Sequence, residues 1–395
     1  MIKQYYKQAL AQLRQHPLIS IIGIVGTALS IFLIMLVVMM QQVKVAPFSP
    51  ESNRNRFLHV HYMSISHKDW GNGISNGPMS VQTAREVYKS LKTPEAVTVY
   101  CCMTVSTPVS LPGAPAIGAD VRETDDTFFH VFDFQFTDGK PYDEATFTAG
   151  RPVAVITESI SRALFGSIQS VGKEFLLSHA PYRVVGVVKD VSTLADMAYG
   201  QVWIPFTSTN LSNDTWSDNH MGMMSVTLLA HDREDFDEIR AEAKRRMNEY
   251  NSILADQGYT LIDRNRPYDQ ETQSISFAAN LEPDLKAARR ERVIIFIILL
   301  LVPAINLSSM TQSRLRQRVA EIGVRRAFGS TRIEMVGQIV MENLVITLLA
   351  GAIGLLISIL FAYWGTDILF AQPYSVTLNA PTVDSRILLQ PSTFL

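Results

Sequence analysis

The sequence reads as a membrane protein: an α-helical transmembrane bundle with a large α+β extracytoplasmic domain, built from two β-α-β units with an inserted, mostly β subdomain. Three observations lead there. Residues 18–40 (LISIIGIVGTALSIFLIMLVVMM) are 23 positions without a charge, a helix of roughly 35 Å at about 1.5 Å per residue and so long enough to span a bilayer. Two further apolar runs, 293–302 and 336–364, lie towards the other end. Between the first and second runs, residues 41–290 show the strand and helix periods of a water-exposed domain.

Composition agrees. Charged residues make up 18% and hydrophobic residues 47% of the 395, too apolar for an ordinary soluble protein and too polar for one wholly in lipid. A net charge of −2 argues against nucleic acid as a partner, which asks for a basic face. The two cysteines, Cys101 and Cys102, are adjacent; strand geometry turns such neighbours to opposite faces, so two free, buried thiols are expected.

Residues 1–17 place Ile2, Tyr5, Tyr6, Ala9, Leu10 and Leu13 on one helical face, the pattern of an amphipathic helix in the cytoplasmic interface, in contact with membrane lipid. Lys3, Lys7 and Arg14 put the N-terminus inside. The first crossing is 18–40. Its Gly23-x-x-x-Thr27 and Gly26-x-x-x-Ser30 pairs permit close helix packing, as do Thr347-x-x-x-Gly351 and Ala350-x-x-x-Gly354 in the third. The second crossing is assigned to 293–312, with Pro303 expected to kink it, and the third to 336–364. Residues 365–395 then lie outside and lead towards a fourth helix that the sequence lacks, so a truncated chain is expected.

In the outer domain, 57–107 and 223–273 form the two β-α-β units. The helix near 234–250 repeats Phe236, Ile239, Ala243, Met247 and Tyr250 at helical period. Residues 108–219 carry short alternating strands and many turn residues, the inserted subdomain. Residues 274–292 resume a helical pattern and read as a stalk running into the second crossing.

The segment 313–335 joins the second and third crossings. Over 314–342 it holds Arg314, Arg316, Arg318, Arg325, Arg326 and Arg332 against Glu321 and Glu334. A short, Arg-rich connection belongs on the cytoplasmic side. Val319, Ile322, Val324, Phe328 and Ile333 recur at helical spacing, so a short surface helix is expected, placed to dock with a cytoplasmic partner. Glu342 is either functional or simply at headgroup depth.

Other motifs have bland readings. Gly166 to Glu174 resembles a phosphate loop, but its glycines are one residue too far apart and Glu174 stands where magnesium needs Ser or Thr. Gly73-Ile74-Ser75-Asn76-Gly77 matches G-x-S-x-G without the strand and helix of a nucleophile elbow, and reads as a Gly-rich turn. His59 and His61 share a strand face with no third ligand at a metal spacing, which favours a solvated face over a metal site.

With these residues in view, the chain resembles permease subunits of the MacB/FtsX family of ABC transporters. Residues 321–332, EIGVRRAFGSTR, are similar to the family's segment after the second membrane helix, continued by Gln338 and Glu342. Residues 124–139, 155–172 and 184–190 resemble parts of its periplasmic core domain. The missing fourth helix is the departure. The resemblance implies a non-catalytic permease in the bacterial inner membrane, crossing it several times, with its large domain in the periplasm. No cofactor is expected on this chain, since ATP would be bound by a separate ABC ATP-binding subunit. A homo- or heterodimer with a second permease is implied, with a periplasmic adaptor and an outer-membrane channel. Arg318, Glu321, Ile322, Gly323, Arg325, Arg326, Ala327, Phe328 and Gly329 would dock on the ATPase and couple its cycle to the outer domain by mechanotransmission. Efflux of peptides, antibiotics or similar substrates leads. Lipoprotein release and FtsX-like signalling to a cell-wall hydrolase are the alternatives, and a hydrolase centred on Ser75 is a more distant one.

Overall fold

The computed structural model describes residues 17–364. The amphipathic helix expected over 1–17 and the segment 365–395 fall outside the described residues, apart from Pro17. Helix α1 spans Pro17–Val45. The outer elements follow: β1 (Phe57–Val60), β2 (Met63–His67), β3 (Ile74–Gly77), α2 (residues 81–89), β4 (Ala96–Cys101), β5 (Val105–Ser110) and β6 (Ile117–Thr124). Next come α3 (Phe128–Val131), β7 (Phe136–Gly139), α4 (Glu144–Thr148), β8 (Val153–Thr157), α5 (Glu158–Phe165), β9 (Glu174–Leu177), β10 (Ala180–Val188) and β11 (Val202–Pro205). The outer region ends with β12 (Met224–Leu229), α6 (Phe236–Leu254), β13 (Tyr259–Ile262), β14 (Tyr268–Asp269) and α7 (Gln270–Gln273). Three helices complete the described chain: α8 (Leu285–Gln317), α9 (Val319–Ala327) and α10 (Arg332–Trp364).

The described residues form two compact units, one of 17–42 with 286–364 and one of 43–285. In the first, three helices are long and apolar enough to cross a membrane. Small residues set their packing. A Cβ at Gly354 would come within 2.8 Å of the Ala28 carbonyl oxygen, and one at Gly23 would collide with Met310; the glycines let α1 lie close to α10 and α8. Phe32 and Phe361 meet edge to face at 5.5 Å. Helix α8 outruns the apolar run 293–312 at both ends, and α10 outruns the run 336–364 at its start, where polar turns keep helical backbone bonds. Helix α8 continues through Pro303.

The stalk helix expected over 274–292 is corrected: α8 begins at Leu285, and 274–284 are turns and irregular chain. Pro283 explains the late start. It disfavours helical backbone at Glu282 and lacks the N–H that a preceding helix would use.

In the second unit, β14, β1, β12 and β4 form a sheet in that order, with β12 antiparallel to both β1 and β4. Helix α6 lays Phe236, Ile239, Ala243, Met247, Tyr250 and Leu254 into the core. Helix α2 starts at Ser80, whose Oγ accepts from the Thr83 amide at 3.1 Å. The two β-α-β units share this sheet with one difference. β13, the last strand of the second unit, pairs with β2 in a separate three-stranded sheet of order β13-β2-β3. The Gly-rich turn expected at 73–77 is therefore mostly the strand β3.

The insert closes on itself. β11 pairs with β8 on one side and β6 on the other, so β11-β8-β10-β9-β5-β6 is a ring of strands. Closure removes exposed strand edges. Ala154, Ile156, Phe175, Val184, Val202 and Ile204 fill its core.

Candidate functional site

The Arg-rich segment is a folded unit held by its own sequence. Arg318 precedes α9, and Gly329 ends it with φ +94°. The Ser330 amide donates to the Arg325 carbonyl and the Gly329 amide to that of Arg326, both at 3.1 Å. These two bonds make a Schellman turn, which needs the left-handed residue that glycine supplies. A reciprocal cap then starts α10: the Glu334 amide bonds Thr331 Oγ1 at 3.3 Å, and the Thr331 amide bonds Glu334 Oε2 at 3.0 Å.

Charged side chains tie α9 to α10. Arg318 Nε bonds Glu321 Oε2 at 2.8 Å and its Nη1 bonds Glu342 Oε2 at 3.1 Å. Arg325 reaches Glu321 Oε1 at 2.5 Å and Gln338 Oε1 at 2.8 Å. Gln338 Nε2 donates to Glu342 Oε1 at 2.9 Å. Hydrogen bonding from Arg318, more than any other influence, holds the Glu321 carboxyl below its usual range. Glu342 is 5% exposed, a bonded member of this network.

The other predicted residues differ. Ile322 is half-buried, and no atom lies within 4 Å of where a Gly323 Cβ would stand. Arg326, Ala327 and Phe328 are exposed. Phe328 is 88% exposed and Ile333 85%, with Val319 and Val324 also open. The structure thus splits the expected set. Arg318, Glu321 and Arg325 bond within the chain, while Arg326 and Phe328 face outwards.

Sequence reasoning missed a second cluster, in the outer unit. Arg54 is 3% exposed and Glu51 fully buried. Arg54 Nε bonds Glu51 Oε2 at 2.7 Å. Its Nη1 donates to the carbonyls of Val43 (2.7 Å) and Ala46 (3.1 Å), and its Nη2 to that of Leu194 (2.8 Å). Glu51 Oε1 accepts from the amides of Met197 and Ala198, both at 2.9 Å. Gln270 Nε2 donates to the Lys44 carbonyl at 2.8 Å. Val43 and Lys44, which end α1 and belong to the unit of 43–285, thus give two orphan carbonyls to side chains of that same unit, one of them cationic as the helix dipole favours. The one sequence signal was a Glu-x-x-Arg pair just past an apolar helix.

The remaining candidates resolve simply. The solvated face expected at His59 is corrected: His59 is fully buried, bonded to Thr227 Oγ1 at 3.1 Å and Gln270 Oε1 at 2.8 Å. Burial first, then His61, push its imidazole down to about 3. No group of three or more His, Cys, Asp or Glu is placed to hold a metal among the described residues. Ser75 takes a hydrogen bond from Trp216 Nε1 at 3.2 Å, and no histidine is hydrogen-bonded to its hydroxyl among the described residues. Gly166 caps the end of α5, and Lys173 lies over the Phe165 ring, with β9 beginning at Glu174; the turn thus leads into a strand and not into the helix N-terminus that a phosphate loop needs. Cys101 and Cys102 are free, the first buried and the second only partly so.

Two family models match the chain: the MacB-like periplasmic core domain over residues 18–246 and the FtsX-like permease C-terminal over 293–389. Among curated relatives, the uncharacterized ABC transporter permease YknZ of Bacillus subtilis (strain 168) is 22% identical over 361 residues, covering 88% of this chain and 83% of that protein. The macrolide export ATP-binding/permease protein MacB of Burkholderia pseudomallei (strain 1710b) is 24% identical over 274 residues, 69% of this chain but 39% of that protein. MacB of Escherichia coli (strain K12) is 22% identical over 252 residues, 62% of this chain and 36% of its own length. The match therefore spans well under half of these MacB proteins. Among solved structures, the periplasmic region of MacB from Actinobacillus actinomycetemcomitans has a TM-score of 0.35 at 21% identity, covering 51% of this chain and 88% of that one. A domain of a putative permease protein from Porphyromonas gingivalis has a TM-score of 0.39 at 15% identity, covering 60% and 97%. The core-domain match alone takes in more than half of the sequence, and the chain belongs to the MacB/FtsX family of ABC transporter permeases.

Proposed function

We propose that this chain is the membrane subunit of a mechanotransmission-type ABC transporter. A separate ABC ATP-binding subunit hydrolyses ATP, and the chain turns that cycle into movement of its periplasmic domain for efflux of peptides, antibiotics or similar substrates. It acts in the bacterial inner membrane with its N-terminus in the cytoplasm. It pairs with a second permease copy, identical or not, and works with a periplasmic adaptor and an outer-membrane channel. The name of the relative MacB, macrolide export ATP-binding/permease protein, supports the pairing of a permease with an ATP-binding part.

One observation carries the reading. Between two long apolar helices stands a capped turn of chain that presents Phe328 and Ile333 almost fully exposed beside Arg326. An exposed aromatic flanked by arginine is the composition of an interface anchor. In the proposed cycle, Ile322, Gly323, Arg326, Ala327, Phe328 and Gly329 meet the ATPase, while Arg318, Glu321 and Arg325 pass its motion to α10. The test is ATP turnover by the reconstituted complex. Arg326→Glu with Phe328→Ala is expected to abolish the stimulation that the permease gives its ATPase, with the outer unit still folded. Full stimulation by that double variant sinks the coupling role.

A further inference from the structure

A cleft in the outer unit has no part in the coupling just described. Trp70, Ile74, Ser75, Trp216, Asp218 and Tyr259 line an open space of about 580 Å³. Trp70 is 39% exposed, Trp216 38% and Ile74 42%, so two indole rings and an aliphatic side chain open to solvent around this space while the rest of each is held in the fold. Their positions are built. Gly77 lies beneath Trp216, where a Cβ would come within 2.9 Å of the ring, and Trp216 Nε1 is bonded to Ser75 Oγ. The main chains of Trp216 and Met221 exchange two hydrogen bonds. Within that tight turn Ser217, Asp218 and Asn219 all have φ between 51° and 67°, a left-handed conformation costly to residues other than glycine. The turn presents Asp218, the one charged residue among the described residues that line the cleft. Burial first, then Asp218, push the Tyr259 phenol up, which marks the two as neighbours. The Tyr259 ring lies tilted against His67 at 4.4 Å and meets Trp70 edge to face at 5.8 Å.

A carboxylate among exposed aromatic faces recognises a cation carried on an apolar stem. The cleft's openness and the neighbouring strand point to a chain rather than a small molecule. β3 is an edge strand, and its outer side takes no main-chain hydrogen bond among the described residues. A free strand edge beside side-chain pockets receives extended peptides. We propose that this cleft binds an extended, basic segment of a partner polypeptide, whose lysine or arginine side chain enters between Trp70 and Trp216 towards Asp218 while its main chain pairs with β3.

The test follows tryptophan emission of the full chain in neutral detergent as a blocked Ser-Arg-Val-Arg-Ser peptide is added. A saturable change is expected, absent with the Glu counterpart of the peptide. Asp218→Asn should weaken binding about tenfold, the size of one lost charge-assisted contact. Trp216→Phe should remove most of the signal, and methylating the peptide's main-chain amides should weaken binding as well. Asp218 is exposed, so its replacement leaves the fold in place, checked by circular dichroism. The proposal is overturned if the acidic peptide binds equally, if Asp218→Asn changes nothing, if free blocked arginine binds as tightly as the peptide, or if no saturable change occurs at millimolar peptide.

Discussion

The clusters at Arg54 and at Arg318 use the same chemistry in opposite surroundings. Arg54 and Glu51 have side chains 2% and 0% exposed, and every bond they make besides their own pair goes to main-chain atoms. In the other cluster the exposures are 17% for Arg318, 7% for Glu342, 44% for Glu321 and 35% for Arg325, and the partners are side chains, so that it is buried at Glu342 and open at Glu321. A buried, fully bonded pair cannot exchange partners without stranding charge in a low dielectric. A half-exposed pair is worth little by itself and can trade a partner for water or for another protein. The cluster at Arg54 is therefore a fixed joint within the unit of 43–285, and the one at Arg318 keeps, at Glu321 and Arg325, exposed members that can change partners.

The largest effect is expected at the joint. Arg54→Ala leaves Glu51 buried without its cation and frees the carbonyls of Val43, Ala46 and Leu194, costing about 3–5 kcal/mol. Amide exchange measured by mass spectrometry over β1 and β12 should show the loss. A variant as well protected as the parent would erase the contrast between the clusters.

Acid gives the next effect, through a residue that shares Gln270 with the joint. His59 is held neutral in the folded state down to about pH 3, against an ordinary value of 6.5. Below 6.5 the unfolded chain binds a proton that the folded chain refuses. The outer unit should keep its full stability above that pH and lose about 1.4 kcal/mol per pH unit as acid is added, from this residue. The difference between the parent and His59→Gln, followed by exchange from pH 7 to pH 5, isolates it. Identical pH slopes would show that His59 is already charged in the fold.

What the sequence made legible was local. The apolar runs are helices, the small residues at 23, 350 and 354 lie at helix contacts, and the period of Phe236 to Tyr250 is the buried face of α6. Choices made at long range were hidden. His59 reads as one member of an exposed alternation, because its partners Thr227 and Gln270 are 168 and 211 residues away. Arg54 reads as one charge in a polar loop, because Leu194 is 140 residues away. β13 leaves the main sheet for β2, and the insert closes by a parallel pairing of β11 with β6. Residues 73–77 look like a turn since Gly, Ser and Asn usually mark one, yet pairing with β2 draws most of them into a strand. At the candidate docking segment, the arginines were legible as a group. Their division into bonded and outward-facing members was not, since it depends on Gln338 and Glu342 one helix later.

A smaller effect belongs to the inner network. Glu321→Gln keeps the shape and removes the charge that Arg318 and Arg325 share. Half-exposed pairs are worth about 0–1 kcal/mol each, so exchange in α9 should rise modestly and the outer unit should not respond. A loss as large as that of Arg54→Ala would mean that this network is also a fixed joint, and the division between the two clusters would fail.

The smallest change in stability is expected at Arg326, and it tests the comparison most directly. Its side chain is exposed and engages no described side chain, so Arg326→Glu should alter stability by no more than about 0.5 kcal/mol. Reversing Arg325 instead sets a carboxylate against Glu321 and removes the bond to Gln338, so it should loosen α9 as well. If docking charge alone matters, the two reversals impair stimulated ATP turnover equally. If the network also carries the motion, Arg325→Glu is the more damaging, and restoring attraction with Glu321→Lys recovers part of its loss while doing nothing for Arg326→Glu. Equal losses with no recovery would reduce the network to local scaffolding and leave Arg326 and Phe328 as the whole of the contact.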